Sequence, residues 1–130
     1  MKYRTGSACH VRLDLVRQVG HPGRQETRAY ELVVPLNVDG HIDATSWLDD
    51  PTACSVHRID RGVDEWGVLA RTPSGRWYFD FHTGHDADDH CGIVHGDANF
   101  HRGAMLRINE RDGTSRTFRV TSIEPAKAEA

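Results

Sequence analysis

Residues 103–120 read GAMLRINERDGTSRTFRV, and the length of the turn inside them decides which side chains meet the core. A two-residue turn at Asp112-Gly113 would set Leu106 opposite Arg119, apolar against charged. A three-residue loop with Gly113 in the left-handed region instead opposes Leu106 to Phe118, which is what burial wants. Side chains alternate faces along a strand, so Met105, Arg107, Thr117 and Arg119 then share the other, wet face. The stretch is read as a β-hairpin with one dry side.

Working outward, residues 66–81, WGVLARTPSGRWYFDF, read as a second hairpin. An even loop at Thr72-Pro73-Ser74-Gly75 opposes Ala70 to Trp77, Val68 to Phe79 and Trp66 to Phe81, apolar to apolar. Residues 8–19 alternate Cys9, Val11, Leu13 and Leu15 with His10, Arg12 and Asp14, up to a turn at Gly20-His21-Pro22-Gly23. TRAYELVVPL, residues 27–36, puts Tyr30, Leu32, Val34 and Leu36 on one face. Asp43 is placed to cap a short helix through Trp47 and Leu48 that Pro51 stops, and Cys54 to Ile59 is extended again. Some six to eight short antiparallel strands must cover their edges, which predicts an all-β fold with one short helix: a small antiparallel barrel or half-open barrel, with a two-sheet sandwich as the alternative. Residues 1–124 are expected to form one β-rich domain and residues 125–130 a disordered C-terminal tail.

A chain of 130 residues is long enough to bury a core without metal or disulfide staples. With 38% hydrophobic and 27% charged residues it is neither disordered nor membrane-spanning in composition. The first residues hold no apolar run of secretory length, so a cytoplasmic location is expected. Cys9, Cys54 and Cys91 are odd in number and far apart, which suits reduced thiols. A net charge of -3 supplies no global attraction to nucleic acid or an anionic membrane.

The densest chemistry lies at residues 81–95, FHTGHDADDHCGIVH. If Trp77, Phe79 and Phe81 face the core, Asp80 and His82 are same-face neighbours about 7 Å apart, and His85 follows a turn at Thr83-Gly84. His82, His85, His90 and His95, with Asp80 or Cys91 as further ligands, form a candidate site for Zn or Fe, whose bound water would be the reactive species. No Lys or Arg falls between Arg76 and Arg102, while Asp80, Asp86, Asp88, Asp89 and Asp97 do, so a cation is favoured there. The same acids favour imidazolium, and the opposing reading is a solvated, pH-sensitive loop. The spacing matches no established metal motif: H-E-x-x-H and paired cysteines are absent, and the DADDHCG segment lacks the glycine position and closing Glu of an EF-hand. Cys91 beside His90 and Asp89 resembles a nucleophile and base only in sequence, since neighbouring strand residues point apart.

Arg107, Arg116 and Arg119 are candidates for a single-stranded nucleic-acid face, as small barrels combine cations with stacking aromatics. Aromatics are scarce there and Phe118 is needed inside, so a solvated Arg-rich face is the competing reading. Trp47, Trp66 and Trp77 are candidates for lining a ligand cavity, against ordinary core use.

Two blocks, GRQETRAYELVVPL (residues 23–36) and RDGTSRTFRVTSIEP (residues 111–125), resemble a family of short uncharacterised proteobacterial proteins. The resemblance implies a bacterial single-domain protein and carries no catalytic signature. The second block is also similar in pattern to strands of small SH3-like or PUA-like barrels, and fold alone does not set function. The hairpins read well and the catalytic motifs do not. The sequence therefore points first to a binding or interaction module for a protein or small-molecule ligand, with no membrane partner. A metal-binding protein or metal-dependent enzyme comes second and a nucleic-acid-binding barrel third.

Overall fold

The computed structural model describes residues 7–16, 28–60, 63–81, 90–93, 99–110 and 113–126. Eight strands follow one another: β1 Ser7–Leu15, β2 Arg28–Leu36, β3 Ser55–Asp60, β4 Val63–Arg71, β5 Trp77–Phe81, β6 His90–Ile93, β7 Met105–Asn109 and β8 Ser115–Pro125. Each pairs antiparallel with the next, and β8 returns to pair with β1, closing a barrel in which none of the described strands is left at an edge. Residue Thr121 is an extra residue in the closing seam, because Leu13 pairs with Val120 and Arg12 with Ser122. A bulge of this kind increases local twist and helps a sheet curl onto itself. The ladder runs to Pro125, and the Ala126 N–H donates to the Ala8 carbonyl.

The hairpin of residues 103–120 has the expected register. Leu106 pairs with Phe118, the Glu110 N–H donates to the Thr114 carbonyl, and Gly113 has φ 85°. The hairpin of residues 66–81 corrects the expected pairing by one residue: Leu69 opposes Phe79, Gly67 opposes Phe81 and Arg71 opposes Trp77. The cause is the same three-residue loop geometry. The Thr72 N–H donates to the Arg76 carbonyl, the Gly75 N–H to the Thr72 carbonyl, and Gly75 has φ 93°, so three residues close the turn rather than four. A one-residue slip exchanges faces. Leu69 therefore enters the core, Trp66 is 60% exposed, and Glu65 turns inward.

The interior is filled by inward residues of every strand, among them Leu13, Tyr30, Leu32, Val34, Val56, Phe79 and Phe118. Eight strands make a barrel about wide enough for side chains to fill. One end is closed by the segment between β2 and β3. There α1, Ala44–Asp49, is capped by Asp43, whose carboxylate accepts from the Thr45 and Ser46 N–H groups, and Pro51 opens the following 3-10 turn. The Trp47 indole N–H donates to the Leu69 carbonyl at 3.0 Å, and its ring meets Trp77 edge-on at 5.3 Å. Buried Phe100 completes this lid through its N–H to the Gly40 carbonyl. Among the described residues no helix is long and apolar enough to cross a membrane.

Candidate functional site

The other end of the barrel, its mouth, is polar inside. The phase that buries Leu32 on β2 also brings in Tyr30 and Arg28, and the phase of Val56 on β3 brings in Arg58 and Asp60. Glu65 of β4, Cys91 of β6, Glu110 just beyond β7 and Arg116 of β8 complete the ring. These groups bond to one another. The Glu110 carboxylate accepts from Arg28 Nη1 at 2.7 Å, Arg116 Nη1 at 2.6 Å and the Tyr30 hydroxyl at 2.6 Å. Arg58 pairs with Glu65 and lies 4.6 Å over the Phe81 ring, while its Nη1 is 3.4 Å from Cys91 Sγ. Arg28 Nε stands 3.4 Å from Asp60 Oδ1.

Three guanidiniums and three carboxylates thus compensate one another in a site where an isolated charge would be costly. Tyr30 joins this network to the core: its ring contacts Phe79 at 5.2 Å and Phe118 at 5.1 Å, while its hydroxyl reaches the carboxylate. Burial, with the neighbouring Cys91 and Glu110 adding to it, holds the phenol far above its ordinary pKa, so it stays a neutral donor. Burial works against the charge of Arg58, but the bond to Glu65 and the nearby Cys91 outweigh it and raise its pKa. The phenol has one proton, and the 2.6 Å contact to Glu110 takes it, while Cys91 Sγ lies 3.6 Å from the phenol oxygen. The mouth therefore offers donors, an acceptor carboxylate and a fully buried thiol over an aromatic floor.

The residues anticipated from sequence fall differently. His82, His85 and His95 lie outside the described residues, as does the side chain of His90. Cys91 faces the interior opposite Phe79, whereas Asp80 is one position along on the outward phase of β5, so these two do not share a site. Among the described residues no group of three or more His, Cys, Asp or Glu side chains is arranged to hold a metal ion. Arg107 and Arg119 are exposed on the outer wall, but Arg116 points inward to Glu110, so the three arginines do not form one face. Trp47 and Trp77 belong to the lid end and Trp66 to the outer wall, where it stacks on His57 at 4.0 Å.

Arg28, Tyr30, Arg58, Glu65 and Glu110 were not singled out as functional by their sequence. A signal was present: each is in phase with core residues near the end of its strand, as in Val56-His57-Arg58 and Leu106-Arg107-Ile108-Asn109-Glu110. Comparison with protein families, with curated proteins and with solved structures finds no match to this chain.

Proposed function

We propose that this barrel is a small binding module that takes a polar small molecule at its mouth. The observation that carries the reading is the asymmetry of the interior: an apolar, lidded end and an opposite end with three arginines and three carboxylates facing in. Buried ion networks contribute little to stability compared with apolar side chains of the same volume, so a network at one end of the barrel fits a recognition role better than a structural one. Eight-stranded barrels hold single small ligands at such mouths, with an aromatic floor for contact and a few polar groups for orientation. Here Phe81 and Tyr30 supply the floor, Arg58 the donor and Glu110 the acceptor.

The reading is of binding rather than turnover. It is tested by screening small polar fragments against the full chain by thermal shift, then repeating the hits with Arg58→Met and Tyr30→Phe. Fragments that raise the wild-type Tm should lose that effect in both variants. Hits that stabilise the variants as well as the wild type, or a screen with no hit, would overturn it.

A further inference from the structure

Near the lidded end, the outer wall contains a second concavity that owes nothing to the mouth. Strand β6 is four residues long and joins β7 through only two register pairs, Gly92 with Asn109 and Ile93 with Ile108. The longer strands beside it leave a cleft of about 390 Å³. Its lining includes Trp77, Tyr78, Gly92 and Ile93 together with Arg71, Thr72, Arg76 and Asn109.

Two features mark it as more than a gap in the wall. The first is charge. The mouth arginines and Arg12 each pair with a carboxylate, whereas among the described residues neither Arg71 nor Arg76 has an acidic partner, and no Asp or Glu lines the cleft. Arg71 is held in place by stacking 4.9 Å over Trp77, beneath the Gly75 turn. The second is shape. Gly92 sits in register between Tyr78 and Asn109, and a Cβ built on it would meet nothing within 4 Å, so the wall has a notch where other residues would place a side chain.

The geometry points to a binding site for a small organic anion, a carboxylate or phosphate monoester carrying an apolar ring. Arg71 and Arg76 meet the anionic group, with the Thr72 hydroxyl and Asn109 amide as further hydrogen-bonding groups, and the ring lies in the Gly92 notch beside Tyr78 and Ile93. Guanidinium pairs are well suited to planar or tetrahedral oxyanions, and an apolar floor with few polar groups is the usual composition of a small-molecule site.

Titration calorimetry of the full chain with phenyl phosphate, benzoate and inorganic phosphate tests this. Phenyl phosphate or benzoate should bind, whichever is tighter naming the acid, and inorganic phosphate should bind more weakly because it lacks the ring. Arg76→Gln should weaken the organic probe roughly ten- to a hundredfold, as expected for a lost charged hydrogen bond. Gly92→Val should fill the notch and abolish binding with an unchanged Tm, since the added carbons have open space. Arg119→Gln, exposed on the outer wall of β8, should leave the affinity as it was. No binding of either organic probe, equal binding to wild type and Gly92→Val, or loss with Arg119→Gln would each overturn the assignment.

Discussion

Among the described glycines, Gly67 leaves the least room for a side chain. It lies on the inward phase of β4 opposite Phe81, and a Cβ there would fall 2.3 Å from the Asp80 carbonyl oxygen, which is backbone and cannot yield. Gly67→Ala is therefore expected to cost at least about 1–3 kcal/mol, the range for overpacking a formed core, read as a lower urea midpoint. Tyr30→Phe keeps the ring and removes one hydroxyl, leaving the Glu110 Oε2 atom short of a buried donor; the expected loss is about 1–3 kcal/mol in the same measurement. Asp14 is a surface counterpart. Burial acts to raise its pKa, but Arg12 and the Thr121 hydroxyl, 2.6 Å away, outweigh this and hold the carboxyl below its ordinary value. A depressed folded pKa means that the stabilisation is present above the unfolded value and disappears as pH falls through the folded one. Asp14→Asn should thus remove a small increment at neutral pH and flatten the acid limb below about pH 4. With both partners more than a third exposed, solvent screening limits the increment to under about 1 kcal/mol.

At the scale of the element, the β4–β5 hairpin offers a direct test of register. With a three-residue loop, Leu69 is fully buried against Phe79 and Val68 is on the outer phase. Leu69→Ala should cost about 2–5 kcal/mol, while Val68→Ala should cost much less. The tryptophans should rank in the same manner. Trp77→Ala removes a buried ring that contacts both Trp47 and Arg71, at about 3–5 kcal/mol, whereas exposed Trp66 loses mainly its stack on His57. Equilibrium denaturation of the four variants decides the matter: a reversed order of Leu69→Ala and Val68→Ala, or a Trp66→Ala loss as large as that of Trp77→Ala, would mean that the four-residue loop is the correct one.

The whole molecule is a closed meander with unlike ends, and its alkaline stability reports on the lidded one. Cys54, buried where the lid segment enters β3, has its thiol pushed up to about 11 by burial, with Asp50 adding to the effect. A raised folded pKa contributes stability that is fully present below the unfolded value and is lost as pH rises through the folded one. The unfolding free energy should therefore decline between about pH 9 and 11, and Cys54→Ala should reduce that slope, as measured by urea titrations across the range. Thiol labelling offers an independent check. Cys54 and Cys91 are buried and Cys9 is half-buried, so a thiol reagent should reach Cys9 first and the other two only on unfolding.

Much of this architecture is local. Alternation in residues 28–36, the Asp43 cap and the glycine at position 113 each specify their element through contacts within a few residues, and a barrel follows from several short strands with no long helix to cover their edges. The loop at Thr72–Arg76 carries the same local cue in Gly75, and the difference between a four-residue and a three-residue loop there exchanges a whole face. The mouth was different in kind. Arg28 and Glu110 are 82 residues apart, and an inward arginine reads as an outward one until closure of the barrel sets its partner opposite. By itself the sequence determined which segments are strands and which side of most of them is apolar, because side-chain period and turn chemistry act over short range. Only the tertiary structure decided that charged residues in the core phase face one another at one end and that Asp80 and Cys91 stand on opposite sides of a wall, because those relations depend on register and on ring closure.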